Sequence, residues 1–170
     1  MIANIAEFLG MSTTAVVVWA VVIVIVVALI MMIISVYNGL VLKRNNYQNS
    51  FAQIDTALMR RFDLIPNLVE VAKKYMDHER ETLEAVISAR NQAKGNLDAA
   101  KKDLGNAALL NAASKSEGVL NSALGRLIAV VESYPDLKAN EQMQSLHNEL
   151  ATTENLIAAH RQTYNIDATE

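Results

Sequence analysis

The sequence contains no cysteine, only two prolines, few aromatic side chains and almost no charge in its first quarter. Without cysteine the chain has no disulfide, no thiolate metal site, no thiol nucleophile and no cysteine-linked lipid anchor. Two prolines leave few fixed breaks in a helical chain. Because no segment shows the alternating pattern of a strand, the sequence predicts an all-α protein.

Charge is missing from a long N-terminal segment, since no Asp, Glu, Lys or Arg occurs between Glu7 and Lys43. Residues 15–34 form an unbroken apolar run of 20 residues, which spans roughly 30 Å as a helix, the thickness of a bilayer core. A core helix of a soluble protein would show a polar face, and a buried strand would be shorter. The run therefore predicts a transmembrane helix over residues 15–36.

The flanks of this run indicate an uncleaved anchor. The first 14 residues contain no Lys or Arg, and no A-x-A cleavage site follows the run. We expect residues 1–14 to be a short extracytoplasmic N-terminus in which Ser12 caps the helix. The nearest basic residues, Lys43 and Arg44, lie after the run, and basic flanks stay cytoplasmic. Residues 37–170 are therefore predicted to form a cytoplasmic domain.

The domain after the anchor is close to neutral. All 15 Lys and Arg and 17 of the 18 acidic residues follow residue 42, so this part carries a net charge of about −2. Such a balance argues against nucleic acid as a partner. The expected partners are a lipid bilayer, further copies of the chain and an unidentified membrane or cytoplasmic protein.

The first helix is predicted to leave the membrane without a linker, from about Ser12 to Phe62. Apolar side chains follow a coiled-coil-like stripe at spacings of three and four, with Arg44 at the missing position: Tyr37, Leu40, Tyr47, Phe51, Ile54 and Leu58. This stripe favours self-association near the membrane.

Pro66 is predicted to lie in the first turn of a second helix, because a proline inside a helix removes a hydrogen bond and costs about 3 kcal/mol. Asp63, three residues earlier, is a good N-cap. The chain would then reverse at Phe62 and Asp63. A kinked but continuous helix is the alternative.

Three further helices complete the prediction. The second runs from about Leu64 to Ala93, and residues 94–118, rich in Gly, Asn, Ala and Ser, form a flexible segment. The third starts at Val119 and stops before Pro135, and the fourth begins near Asn140, a good N-cap. Four amphipathic helices with short connections predict an antiparallel up-and-down bundle.

Several long stretches resemble the LemA family in order: "RRFDLIPNLVEVAKKY", "HERETLEAVISAR", "ALGRLIAVVESYPDLKAN" and "LATTENLIAAHRQTYN". The third also resembles a magnetosome branch of that family. The resemblance covers about residues 35–165 and implies one N-terminal membrane helix followed by a cytoplasmic helical bundle. It implies no enzymatic activity and no cofactor. It also implies an inner or intracellular bacterial membrane as the location. Members usually continue past Tyr164 and Asn165, so we expect a short member or a truncated chain.

No catalytic or metal motif is complete. His78 and Glu79 begin a zinc-protease motif, but the second histidine is replaced by Thr82. We therefore expect neither an enzyme nor a metal site.

Polar residues near the apolar stripes are the candidate structural residues. Glu79, Glu154 and Arg161, with Arg44, lie at or beside predicted core positions, and a buried charge needs a partner. We expect Glu79 and Glu154 to pair with Arg161, Arg60 or Arg61, unless these side chains flank the core and reach solvent. The residues Asn67, Asn155 and Tyr164 are expected to cap helices or to form hydrogen bonds between them.

Two functions follow from this organisation. The first is a membrane-anchored scaffold or interaction protein that assembles with itself and organises partners or membrane at the cytoplasmic surface. The alternative is an accessory regulator whose bundle docks onto a membrane protease or a stress-response protein.

Overall fold

A computed structural model describes residues 13–169 of the chain. The predicted Ser12 cap and most of the predicted N-terminus, residues 1–14, lie outside the described residues. The described residues contain no strand and form five helices, which confirms the all-α class: α1 (Thr13–Lys73), α2 (Arg80–Lys102), α3 (Ala107–Val131), α4 (Pro135–Lys138) and α5 (Glu141–Thr169).

The chain divides into two units after Gln48. In the first unit, the described residues all belong to helix α1, and nearly all are exposed. The second unit, Asn49–Thr169, is a helical bundle. It contains the C-terminal part of α1 together with α2, α3, α4 and α5.

Helix α1 runs antiparallel to both α2 and α5. Arg90 of α2 meets Phe62 of α1, and Lys101, further along α2, meets the earlier Asp55. Residues further along α5 likewise meet earlier residues of α1: Glu149 with Arg60, Tyr164 with Phe51, and Asp167 with Ser50.

The bundle buries one apolar core to which all its helices contribute. Its members recur at spacings of three and four, which places them on one face of each helix. The largest side chains with less than 2% exposure are Phe62, Ile65, Leu68, Met76, Val86, Leu120, Leu127, Leu137 and Thr153.

The predicted helix break at Pro66 is wrong, because helix α1 continues through Pro66 to Lys73. A proline leaves the carbonyl four residues earlier without its helical hydrogen bond, and here that carbonyl belongs to Phe62, a fully buried residue. Arg90 Nε of helix α2 donates to Phe62 O at 2.9 Å. The guanidinium therefore replaces the missing amide, and Asp63 lies within the helix instead of capping one.

The chain turns instead at residues 74–79. Tyr75 N and Met76 N both donate to Ala72 O at 3.0 Å, which closes the end of α1. In the sequence, no apolar residue lies between Met76 and Leu83, and this polar gap is the signal from which the turn could have been predicted. Helix α2 therefore starts at Arg80, and the predicted start at Leu64 is wrong.

The predicted flexible segment, residues 94–118, is helical except for residues 103–106. Helix α3 begins about three turns before the predicted Val119, where Asn106 Oδ1 accepts from Ala108 N at 3.0 Å and from Leu109 N at 3.4 Å. Small residues such as Ala, which suggested flexibility, are good helix formers once a cap is present.

The end of α3 and the start of α5 lie close to the predicted positions. Pro135 occupies the first turn of the short helix α4, where a missing amide hydrogen costs little. Asn140 precedes α5, and its Oδ1 accepts from Met143 N at 3.0 Å.

Candidate functional site

The exposed part of helix α1 is the first candidate site. Helix α1 is long and apolar enough to cross a membrane, and no residue of its most apolar stretch is buried by the rest of the described chain. Large side chains such as Val24 and Ile33 are about two-thirds exposed, at 67% and 68%. An apolar surface of this length that the chain does not cover is typical of a lipid-facing helix.

The self-association stripe is divided between the two units. Ile54 and Leu58 are buried in the chain's own core, and Phe51 packs against that core. Tyr37 and Leu40 are exposed. The C-terminal part of the stripe therefore packs within the chain's own core. Only its N-terminal part, with Tyr37 and Leu40, is available to another molecule.

A buried polar cluster is the second candidate site, formed by Arg61 of α1 with Glu117 and Asn121 of α3. Arg61 Nη1 lies 3.4 Å from Glu117 Oε2, and both residues are only 3% exposed. Arg61 Nη2 also donates to Asn121 Oδ1. Glu117 Oε1 is buried and has no hydrogen-bond partner among the described residues.

Burial dominates the electrostatics of this pair. It raises the pKa of the Glu117 carboxyl and lowers the pKa of the Arg61 guanidinium, because each charge has lost its water. The mutual attraction of the two groups opposes both shifts without overcoming them. A buried pair of this kind is therefore weak evidence for stabilisation of the fold.

Helix α5 adds two charges at the edge of the cluster. Glu154 and Arg161 act on both Arg61 and Glu117 through their fields. Glu154 is exposed and Arg161 half-buried. A buried inter-helix ion pair is present at Arg61, but its acid is Glu117, which the sequence analysis did not name, instead of Glu79 or Glu154.

The other predicted pairing residues lie outside this cluster. Glu79 is half-buried, and its Oε1 accepts from Tyr134 Oη at 3.5 Å. Arg60 forms an exposed pair with Glu149 at 2.5 Å, and Arg44 is exposed.

The expected hydrogen-bonding residues have different surroundings. Asn67 and Asn155 are exposed, as are Asp63 and Pro66. Tyr164 is half-buried, with its ring centroid 6.0 Å from that of Phe51.

Sequence reasoning missed Glu117, Asn121 and Arg90. Glu117 had a detectable signal, because it lies at helical spacing with Ala113, Leu120 and Leu124 once the third helix is extended towards its N-terminus. The role of Arg90 had no local signal, since its partner Phe62 lies 28 residues away.

An open groove of about 660 Å³ lies between the end of α1 and the start of α2. Apolar side chains line it together with a mixed set of charges, which include Lys73, Asp77, Arg80 and Glu84. Its apolar residues are Val69, Met76, Leu83 and Ile87. A second groove, of about 240 Å³, runs between α3 and α5 and has Arg61 and Glu154 on its walls.

The three histidines, His78, His147 and His160, all lie within the part of the chain that the structure describes. Among residues 13–169, no group of three or more His, Cys, Asp or Glu side chains is arranged to hold a metal ion. His78 and His147 are exposed, and His160 is half-buried.

Comparison with known proteins places the bundle in one family. The LemA family model matches residues 50–170. The chain is 27% identical over 150 residues to the magnetosome protein MamQ of Magnetospirillum gryphiswaldense, covering 78% of this chain and 54% of that protein. It is 29% identical over 151 residues to MamQ 2 of Paramagnetospirillum magneticum, with the same coverage of 78% and 54%.

A third relative is the LemA protein of Metamycoplasma hominis, 27% identical over 132 residues, which cover 78% of this chain and 56% of the relative. The chain spans about half the length of these curated relatives. Since the family model matches most of the chain and coincides with the folded bundle, this protein belongs to the LemA family.

Proposed function

We propose that this protein is a single-pass membrane scaffold. Its helical bundle would bind further copies of the chain or a partner protein at the cytoplasmic surface of an inner or intracellular bacterial membrane. One observation carries the proposal: helix α1 is uncovered and apolar in its first half and contributes core residues to the bundle in its second half. The same helix thus links a lipid-facing surface to a folded module. Two relatives are named magnetosome proteins, which supports an intracellular membrane as a location.

The distribution of charge supports a cytoplasmic bundle. No Lys or Arg occurs before Lys43, and all 15 lie after residue 42. Basic residues close to a span are retained in the cytoplasm. The N-terminus would then lie outside the cytoplasm, and external protease should leave the bundle intact in sealed cells.

A binding role fits the chemistry of the bundle better than catalysis does. Its buried polar cluster is an ion pair with an amide, in which Arg61 already contacts both Glu117 and Asn121. These three side chains include no hydroxyl or thiol beside a base, the arrangement that activates a nucleophile.

Self-assembly would use the uncovered part of helix α1 next to the bilayer. Leu40 belongs to the stripe, is 63% exposed and follows the 20-residue apolar run, whereas Leu42 lies on the opposite side of the helix. Contact with further copies through the stripe would cover Leu40 where the lipid core ends.

Disulfide cross-linking tests this assembly, because the chain has no cysteine of its own. A single Leu40→Cys variant should give covalent dimers in native membranes under mild oxidation. Leu42→Cys, which is similarly exposed at 61% but lies on the opposite side of the helix, is the matched control, and Ile54→Cys, buried in the core of the bundle, is the second. Both controls should stay monomeric, and absence of dimers from Leu40→Cys would refute assembly through this stripe.

A second candidate is regulation of another membrane protein through the groove between α1 and α2. Its row of Val69, Met76, Leu83 and Ile87 suits the apolar face of a partner helix. Light scattering of the purified chain in detergent separates the candidates, since a scaffold gives a homogeneous multimer and a regulator a monomer.

A further inference from the structure

The exposed part of helix α1 carries one large aromatic side chain near each end of its apolar run. Trp19, the only tryptophan of the chain, is 59% exposed, and Tyr37 is 66% exposed. Both lie in the same uninterrupted helix, 18 residues apart, which is roughly 27 Å at 1.5 Å per residue. This separation is close to the hydrocarbon thickness of a bilayer, about 30 Å.

The two aromatic residues also share one face of the helix. At about 3.6 residues per turn, 18 residues complete five full turns. Between them, Ser35 is the only side chain that carries a polar group. One side of the helix therefore has an aromatic residue at each end and an apolar surface between.

We propose that Trp19 and Tyr37 are paired interfacial anchors that set the depth of helix α1 by binding the headgroup regions of the two lipid leaflets. Trp and Tyr favour this region because each has an apolar ring and a polar atom that needs a hydrogen-bond partner. The inference rests on the proposed membrane anchoring and adds the position of the helix within the bilayer.

This register differs from the one that the apolar run alone would give. The midpoint of the apolar run, residues 15–34, lies between Val24 and Ile25, whereas the midpoint between Trp19 and Tyr37 is Ala28. The two registers therefore place different residues at the bilayer midplane. In the anchored register Trp19 lies roughly 13 Å from the bilayer midplane, and in the run-centred register roughly 8 Å.

The anchored register also explains the position of the nearest basic residues, Lys43 and Arg44. Lys43 and Arg44 follow Tyr37 by six and seven residues, or roughly 9 to 10 Å along the helix. That distance carries their charges beyond the hydrocarbon to the phosphate level, where cations are attracted.

Fluorescence quenching of Trp19 tests the proposal in the full chain. The protein is reconstituted into phosphatidylcholine vesicles that carry a spin label at either a shallow or a deep acyl position. We expect the shallow label to quench Trp19 more strongly. In a Trp19→Phe background, Tyr37→Trp should behave in the same way, whereas Ile30→Trp, near the centre of the same face, should show the reverse order.

Removal of one anchor tests whether it controls depth. Tyr37→Leu should change the ratio of shallow to deep quenching of Trp19, because the helix loses one of its two fixed points. The matched control Ile33→Leu, on the same face, should leave the ratio unchanged. Stronger quenching by the deep label, or equal ratios in the two variants, would overturn the anchor pair. If neither label quenches Trp19 and the protein does not float with vesicles, membrane anchoring itself fails.

Discussion

The two halves of helix α1 place similar apolar side chains in opposite environments. Before Gln48 the large side chains are exposed, with Val24 at 67% and Ile33 at 68%. After it, Phe62, Ile65 and Leu68 are fully buried. The halves differ mainly in charge, since the first is uncharged up to Lys43, whereas the second carries charges on its outer face. The pattern of charge, more than the amount of apolar surface, indicates whether lipid or protein covers a helix.

The largest expected effect comes from placing charge in the first half. Ile25→Arg/Leu29→Arg adds two charges near the centre of the span, at about 2.5–3.5 kcal/mol each for insertion. We expect the double variant to lose membrane retention in carbonate extraction, while circular dichroism still shows the folded bundle. Ile25→Ala/Leu29→Ala is the control and should remain in the membrane. Retention of the arginine variant would contradict a lipid-embedded first half.

The second half should respond in the opposite way to loss of an internal charge. Glu117→Leu leaves the Arg61 guanidinium buried without its counter-ion, which should lower the free energy of unfolding by about 3–5 kcal/mol. Arg61→Met should cost less, because Glu117 can take up a proton whereas an arginine stays charged. The double variant should match or exceed the native stability in urea titrations. Equal costs for the two single variants would contradict this asymmetry.

The pH dependence of the same pair gives an independent test. Burial raises the pKa of Glu117 above its unfolded value, against the attraction of Arg61 and Arg161 and with a contribution from Glu154. The resulting stabilisation is fully present below the unfolded pKa of about 4.3 and is lost as pH rises through the higher folded pKa. Relative to Glu117→Gln, the native chain should therefore lose stability from pH 4 upwards, in urea titrations at each pH. The opposite slope would show that the cations outweigh burial.

A smaller effect is expected where helix α1 passes through Pro66. Arg90→Met removes the donor to Phe62 O and should cost about 1–3 kcal/mol, the penalty of a buried carbonyl without a partner. In a Pro66→Ala background the restored amide can donate to that carbonyl, so the same substitution should cost less. Urea titrations of the four variants measure this coupling, and strictly additive costs would contradict the proposed role of Arg90.

The smallest effect concerns a helix cap in the bundle. Asn140→Ala removes the acceptor for Met143 N and should lower stability by about 1 kcal/mol. Asn140→Asp, which keeps the acceptor, is the control. Thermal unfolding should show a lower Tm for the alanine variant only, and equal Tm values would contradict the cap.

The sequence predicted features that depend on local pattern. The apolar run, the absence of strands, the end of the third helix before Pro135 and the position of Asn140 all follow from residues close together in the chain. Pro66 was misinterpreted because its compensating donor, Arg90, comes from another helix. Glu117 was missed because its segment, rich in small residues, was taken as flexible. A long-range contact, which local patterns do not contain, decided the first case. The second depended on a local cap, Asn106, and on a helical spacing that is present in the sequence.

The most direct test of the account is a single-cysteine scan along helix α1, from residue 16 to residue 72, in sealed native membranes. A water-soluble maleimide should label no position from 20 to 36, on any side of the helix, because lipid surrounds this part of the helix. From 49 to 72, in membranes opened to admit the reagent, labelling should recur with helical period, with Ile54, Leu58 and Ile65 protected by the bundle. Labelling along one face of residues 20–36 would contradict the account, since that face would then lie in water.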